Sequence, residues 1–163
     1  KPVIAANRGY CFGVGFEISL ACDFRIASDT VQYALPEQRL GQIPGSGGSA
    51  RLQKMIGIAR TKEIVLRSRR ISGREAKDWG IITDLVTDEE LETATDALVT
   101  ELCQFAPLAQ RTAKRLLNET EDMFLSAAIE VEGHCYARLR QSEDFREGVE
   151  AFHEKRRPKY KGR

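Results

Sequence analysis

The sequence predicts an α/β fold in which strands and short helices come first and helices follow almost alone. Two patterns indicate this order. Residues 1–86 contain short apolar runs, several of them alternating or β-branched, separated by turns rich in glycine and proline. Residues 87–163 instead carry apolar residues at helical spacing. A length of 163 residues suits one domain with a sizeable core. The change of pattern divides the chain into two adjoining regions, 1–86 and 87–163.

Three strands are predicted in the first part of the chain, with glycine-rich turns leading into helices. Apolar runs that end at turn residues predict strands at 2–7, 24–28 and 31–35. Between the first two, residues 13–23 predict a glycine loop that opens a short helix. Pro36 ends the third strand and suits a helix start. A tight connection into a helix that ends near residue 57 is predicted by three glycines, Gly45, Gly47 and Gly48.

The remaining elements are mostly helices with recognisable ends. Ser72 and Glu75 have the spacing of a capping box at the start of a short helix, and Gly80 stops it. Residues 81–86 predict a strand. Apolar spacing predicts four more helices, two of them separated by a proline, at 58–68, 87–105, 108–118 and 123–141. The tail, residues 145–163, predicts a short helix that becomes strongly basic.

Composition and charge exclude several classes of function. Lysine and arginine number 25 against 24 aspartate and glutamate residues, so no nucleic-acid partner is expected. No apolar run is long enough to span a membrane, and the start of the chain has no signal-peptide pattern. The four cysteines form no CxxC pair and there are only two histidines, so no metal site is predicted. We therefore expect reduced thiols in a cytoplasmic compartment.

Gly13 and Gly15 flank Val14 in the loop that feeds the first helix. Backbone N–H groups at a helix start have no partner within the helix, and together with the helix dipole they stabilise an anion or a developing oxyanion. Glycine also lets a substrate approach the backbone closely. A tight strand-to-helix turn would explain the same residues. The loop lacks the full GxGxxG pattern and so does not indicate dinucleotide binding.

Glu17 and Glu37 each follow a turn signal in otherwise apolar surroundings. Partial burial of a carboxyl group favours general acid or base work, and two carboxylates in unlike environments can divide these roles. The alternative is that each glutamate only complements the dipole at the start of a helix.

The C-terminal tail carries a run of basic residues: Lys155, Arg156, Arg157, Lys159 and Lys161. Such a run could hold phosphate groups, or it could be a solvated extension. Elsewhere, nothing in the sequence brings a cysteine and His134 together as a catalytic pair. Cys11 and Cys22 are expected to pack in the core.

Three segments together resemble the enoyl-CoA hydratase/isomerase, or crotonase, superfamily: "KPVIAANRGYCFGVGFEISLACDFRIAS", "YALPEQRLGQIPGSGGSARL" and "ISGREAKDWGIITDLV". Their order and spacing agree along nearly the whole chain. The resemblance implies a ClpP-like spiral of ββα units, to which residues 1–86 contribute the C-terminal part. Residues 87–163 would then form a helical trimerisation region with a CoA-contacting tail. It also implies a homotrimer or a dimer of trimers, located in the cytoplasm or in the mitochondrial matrix of a eukaryote.

The resemblance assigns roles to six residues. The N–H of Val14, in the loop that Gly13 opens, matches one of two donors to the thioester carbonyl. Glu17 and Glu37 match the two glutamates that handle the water and the proton in hydratases. Lys155 and Phe152 match a contact with CoA phosphate and a lining of the same pocket. No metal or redox cofactor is implied, because CoA is part of the acyl-CoA substrate.

The expected function is hydration of a 2,3-enoyl-CoA. Another crotonase reaction is the nearest alternative, either isomerisation of an enoyl-CoA or hydrolysis of a cyclic ketoacyl-CoA. A non-catalytic CoA-binding or RNA-binding scaffold is a further alternative. "GVGFE" and "YALPE" depart from the usual "GGGxE" and "FGQPE", which leaves the acyl group open. The second N–H donor lies upstream in the family, and the chain opens on a strand without methionine, so we expect the natural protein to continue upstream.

Overall fold

A computed structural model describes residues 1–163, which form two compact units. The first unit is Val3–Leu98, and the second joins Lys1–Pro2 to Val99–Arg163. The predicted functional roles of 1–86 and 87–163 stay predictions. No helix in the chain has both the length and the apolar character that crossing a membrane requires.

Six short strands in the first unit form two three-stranded sheets. They are β1 (Ile4–Asn7), β2 (Tyr10–Phe12), β3 (Phe24–Ser28), β4 (Gln32–Ala34), β5 (Ile71–Ser72) and β6 (Asp84–Val86). One sheet is parallel, with the order β1-β3-β6. In the other sheet, β4 lies between β2, to which it is parallel, and β5, to which it is antiparallel.

Seven α-helices complete the chain. They are α1 (Val14–Ala21), α2 (Gly48–Val65), α3 (Gly73–Asp78), α4 (Leu91–Leu102), α5 (Pro107–Thr120), α6 (Leu125–Leu139) and α7 (Glu143–His153). A short 3-10 helix, Glu37–Leu40, follows β4. Within the second unit, α5 packs against α6.

The core of the first unit lies between α1, α2 and the second sheet. Phe16 of α1 is fully buried, and its ring centroid lies 4.7 Å from that of Tyr33 on β4. Other members of this cluster include Leu20, Leu35, Leu52, Ile64, Ile71 and Ile81. Burial of apolar side chains on this scale is the main stabilising term for the unit. It also fixes α1, and hence the residues at the start of α1, against the sheet.

The structure confirms most of the predicted elements and shortens several. Residues 24–28 form a strand as predicted, and Ser72 and Glu75 form the capping box in both directions. Near residue 57 the helix is interrupted, because Gly57 adopts φ 78° and ψ 164° inside α2. Two strands, β2 and β5, were not predicted from the sequence, and they have only three and two residues. Strands this short carry almost no alternation signal, and their pairing with β4 defines them.

Candidate active site

The glycine loop turns the chain from β2 directly into α1. Gly13 has φ 54° and ψ −128°, a backbone conformation that residues other than glycine rarely adopt. Its N–H donates to the Ala34 carbonyl at 3.0 Å, which ties the loop to β4. Val14 is the first residue of α1, so its N–H cannot bond within the helix, and its side chain is 59% exposed. The loop therefore presents a backbone donor at the start of a helix.

Glu17 lies in the first turn of α1 and is only 2% exposed. Its Oε1 accepts hydrogen bonds from the N–H groups of Ser46, at 2.8 Å, and Gly48, at 2.9 Å. Gly48 is the first residue of α2, so the carboxylate sits at the N-terminus of the helical stretch that runs to the break at Gly57, where negative charge is favoured. A Cβ on Gly48 would lie 2.8 Å from Cγ of Glu17. Two backbone donors and close packing thus fix the orientation of this carboxylate.

Glu37 opens the short 3-10 helix immediately after Pro36. Its Oε1 lies 2.8 Å from the point that a Cβ on Gly13 would occupy. Its Oε2 is buried and has no hydrogen-bond partner in the protein. A buried carboxylate oxygen without a partner is uncommon and costly, so we expect its donor to come from outside these residues.

Four of the six residues assigned from the resemblance lie in one part of the first unit. Gly13 and Glu37 are in direct proximity, Val14 follows Gly13, and Glu17 is one helical turn beyond it. The arrangement combines a backbone N–H donor with one oriented carboxylate and one carboxylate whose buried Oε2 is unpartnered. It can bind a developing oxyanion and exchange protons beside it.

A polar network holds α1 against β1 and β4 beneath the site. Asn7 Oδ1 accepts hydrogen bonds from the Ser19 hydroxyl at 2.7 Å and from the Tyr33 hydroxyl at 2.9 Å. Burial raises the pKa of Tyr33 well above its usual range, so this hydroxyl stays protonated and can donate. Burial also raises the pKa of the neighbouring Cys11 thiol to about 11. Cys11 is 7% exposed and packs in the core, as predicted, whereas Cys22, also predicted there, is only partly buried.

The groups that hold Glu17 and α1 in place were not predicted from the sequence. Arg25 of β3 is 8% exposed and donates to the carbonyls of Ile81, at 2.5 Å, and Cys22, at 2.6 Å. It thereby fixes the C-terminal end of α1. Glu17 itself is bound by the glycine-rich connection before α2, which the sequence indicated only as a turn. Arg51, one helical turn after that connection, was the only sequence feature that could have indicated a side chain bonded back to it.

Lys155 and Phe152 lie in the second unit, at the end of α7. Phe152 is 81% exposed, and it borders an apolar cavity of about 590 Å³ between α5, α6 and α7. Lys155 has φ 56° and ends the helix in a Schellman motif, in which the N–H of Arg156 donates to the Ala151 carbonyl at 3.0 Å. Glycine is the usual residue at this position.

The tail beyond Lys155 is tied back to α7 by two carboxylates. Glu147 accepts two hydrogen bonds from the Arg156 guanidinium, at 2.6 and 3.1 Å, and one from the Lys159 N–H at 2.6 Å. These hydrogen bonds lower the pKa of Glu147 to about 2, and those from Arg156 have the largest effect. Asp144, which is buried, accepts from the N–H groups of Lys161 and Gly162. The tail is therefore an ordered part of the unit.

Comparison with known proteins shows the family of the chain. The family model for enoyl-CoA hydratase/isomerase matches residues 1–163. The carnitinyl-CoA dehydratase of Salmonella typhi is 41% identical over 172 aligned positions, covering 100% of this chain and 64% of the relative. The same-named protein of Salmonella arizonae is 42% identical over 171 positions, covering 99% of this chain and 64% of that protein.

Solved structures agree with these relatives. An enoyl-CoA hydratase from Bacillus anthracis superimposes with a TM-score of 0.97 at 39% identity, covering 100% of this chain and 63% of that one. An enoyl-CoA hydratase from Mycobacterium tuberculosis H37Rv gives a TM-score of 0.96 at 29% identity, with 100% and 65% covered. The chain thus spans slightly less than two thirds of the length of these proteins. It belongs to the enoyl-CoA hydratase/isomerase family and has the crotonase fold.

Proposed function

We propose that the protein adds water across the 2,3-double bond of an enoyl-CoA thioester and catalyses the reverse dehydration. The observation that carries this proposal is the packing of Glu37 against the glycine loop that also leads to Glu17. A hydratase needs one group to take a proton from water and another to deliver a proton to carbon. Two carboxylates beside an oxyanion donor are suited to this chemistry.

In this reaction the thioester carbonyl accepts a hydrogen bond from the Val14 N–H. A second donor is expected upstream, by resemblance to the family. Polarisation of the carbonyl allows the water oxygen to bond to C3, with negative charge moving onto the thioester oxygen as an enolate. Between them, Glu17 and Glu37 remove one proton from the water and place one proton on C2. The sum is the addition of one water molecule, with no redox change.

The names of the relatives favour a second candidate, dehydration of a 3-hydroxyacyl-CoA of the carnitinyl type. Proteins named carnitinyl-CoA dehydratase are 41% and 42% identical to this chain. Dehydration is the reverse of the same chemistry and would use the same residues. The two candidates differ in the acyl group, which carries a quaternary ammonium in carnitinyl-CoA and an alkyl chain in fatty enoyl-CoA. "YALPE" and "GVGFE", which depart from the common family sequences, lie where they could influence that choice.

The proposal includes the binding partners implied by the family. The substrate is an acyl-CoA thioester, with Lys155 and Phe152 contacting its CoA portion. The chain acts as a homotrimer or a dimer of trimers, and it uses no metal or redox cofactor. Isomerisation of an enoyl-CoA or hydrolysis of a cyclic ketoacyl-CoA would use the oxyanion donor without needing both carboxylates for water addition.

The test uses the full natural protein that contains this chain. Hydration is followed by the loss of conjugated enoyl-thioester absorbance with crotonyl-CoA, longer and branched enoyl-CoAs and crotonobetainyl-CoA. We expect Glu17→Gln and Glu37→Gln each to lower kcat by about 100-fold or more. Glu89→Gln, which changes an exposed glutamate in the same unit, serves as the control. If the wild-type protein binds CoA tightly but hydrates none of these substrates, the hydratase proposal is wrong.

A further inference from the structure

The two N–H groups that orient Glu17 come from a segment with little regular structure of its own. Residues 41–47 lie between the 3-10 helix and α2, and three of the last four residues before Ser49 are glycines. Glycine-rich backbone is flexible unless other groups hold it. The N–H groups of Ser46 and Gly48 can orient the carboxylate only if this segment is itself fixed.

The side chain of Arg51 contacts this segment. Its Nη1 donates to the Ser46 carbonyl at 2.8 Å, on the residue whose N–H donates to Glu17. The guanidinium also lies over Gly47, where a Cβ would overlap it. Gly47 has φ 90°, a backbone conformation that favours glycine, and the flexible guanidinium of Arg51 packs on it.

The position of Arg51 in α2 favours a side chain that bonds back to the segment before the helix. Arg51 is the fourth residue of the helix, close to the positive end of the dipole, where a cation is unfavourable. The side chain reaches back by one turn toward the N-terminus, the direction that helical side chains take. Its hydrogen bond to the Ser46 carbonyl offsets the unfavourable placement.

We propose that Arg51 is a positioning residue for Glu17, because it holds the Ser46–Gly48 backbone whose N–H groups orient the carboxylate. This inference rests on the proposed catalytic role of Glu17. Arg51 does not touch the reacting atoms in this scheme. Removing its side chain should therefore change how well Glu17 is aligned and leave CoA binding intact.

The kinetic test compares Arg51→Met, Arg51→Lys and Arg67→Met in the full natural protein. Arg67 is a matched control, because it lies beyond the end of α2 and pairs on the surface with Glu63. We expect Arg51→Met to lower kcat about tenfold or more with little change in KM, since small displacements of catalytic groups are costly. Arg51→Lys retains a donor and should recover most of the rate. Arg67→Met should match the wild type.

A second readout does not depend on activity. In protein labelled with ¹⁵N-glycine, the amide resonance of Gly48 reports the hydrogen bond from Gly48 to Glu17. The Glu17→Gln variant shows in which direction this resonance moves when that hydrogen bond changes. Arg51→Met should move this resonance in the same direction, and Arg67→Met should leave it in place. Should Arg51→Met fail to fold, Arg51→Lys is compared with Arg67→Lys for a smaller displacement of the same resonance.

The outcomes separate this inference from the proposed function. A wild-type protein without hydratase activity would overturn the proposed function, while the Gly48 resonance would still show whether Arg51 holds the segment. A folded Arg51→Met variant with wild-type kcat and an unmoved Gly48 resonance would overturn the role of Arg51. Equal losses in Arg51→Met and Arg67→Met would also overturn it, because they would indicate a general effect on stability.

Discussion

The Glu37 carboxylate packs directly against Gly13, with Oε1 only 2.8 Å from the point that a Cβ on this glycine would occupy. The two residues are 24 positions apart in the sequence, and the pairing of β2 with β4 brings them together. Phe12 ends β2 opposite Ala34, so the residues that follow each strand emerge at the same edge of the sheet. Glycine at position 13 therefore serves the backbone turn and leaves room for the carboxylate.

This relationship predicts the effect of Gly13→Ala. The new methyl group would displace Glu37, and the φ of 54° would be strained for alanine by about 1–3 kcal/mol. We expect a large fall in kcat for enoyl-CoA hydration together with a lower melting temperature. Both are measured on the full natural protein, by the absorbance assay and by thermal unfolding.

The control is Gly133→Ala, in the middle of α6, where a Cβ would meet nothing within 4 Å. Alanine there should leave kcat unchanged and raise stability slightly, as expected for a helix interior. If Gly13→Ala retained the wild-type kcat, Glu37 would not depend on the space that this glycine leaves.

The sequence allowed prediction of the elements whose signals are local. The capping box at Ser72 depends on residues three positions apart, and the break at Gly57 depends on one residue, so both were accessible. The strands β2 and β5 were not, because their pairing with β4 joins segments about 20 and 40 residues apart. Such short strands are defined by tertiary contacts rather than by their own pattern.

For the candidate site, residue types were predictable and their surroundings were not. Glu17 and Glu37 stood out as carboxylates in apolar segments. The donors that orient Glu17 are backbone N–H groups 29 and 31 residues away, and a backbone donor has no signature in the sequence. The absence of a protein partner for Glu37 Oε2 likewise depends on the packing of the 3-10 helix against the glycine loop.

Burial of Cys11 predicts a thiol that does not react in the folded protein. The side chain is 7% exposed, and burial raises the pKa of the thiol to about 11, so almost no thiolate is present at pH 8. Iodoacetamide labelling followed by peptide mass spectrometry should modify Cys103, which is exposed, before Cys11. Cys11 should be modified at a similar rate only after unfolding in urea. Rapid modification of Cys11 in the native protein would contradict this prediction.

Lys155 predicts opposite changes in stability and in CoA affinity. Lys155→Gly should raise stability by about 1 kcal/mol, because glycine adopts the φ of 56° without strain. The same change removes the charge that we propose contacts CoA phosphate, so affinity for CoA should fall about tenfold. Lys155→Ala is the matched comparison, since it loses the charge and keeps the strained backbone. Calorimetric titration with CoA and thermal unfolding measure the two effects; unchanged CoA affinity in both variants would argue against the phosphate contact.

The ion pair between Glu147 and Arg156 predicts a pH-dependent contribution to stability. The Arg156 guanidinium and the Lys159 N–H hold the pKa of Glu147 at about 2, below its ordinary value of 4.5. A carboxylate whose pKa is lower in the folded state stabilises that state above the unfolded pKa, and this stabilisation is lost as the pH falls through the folded pKa. Glu147→Gln should therefore be less stable than the wild type at pH 7, and the difference should shrink between about pH 4.5 and pH 2.

Urea unfolding at several pH values measures this difference in stability, with Glu130→Gln, which changes an exposed glutamate of α6, as the control. A difference that stayed constant from pH 7 to pH 2 would show that Glu147 contributes through packing rather than through its charge.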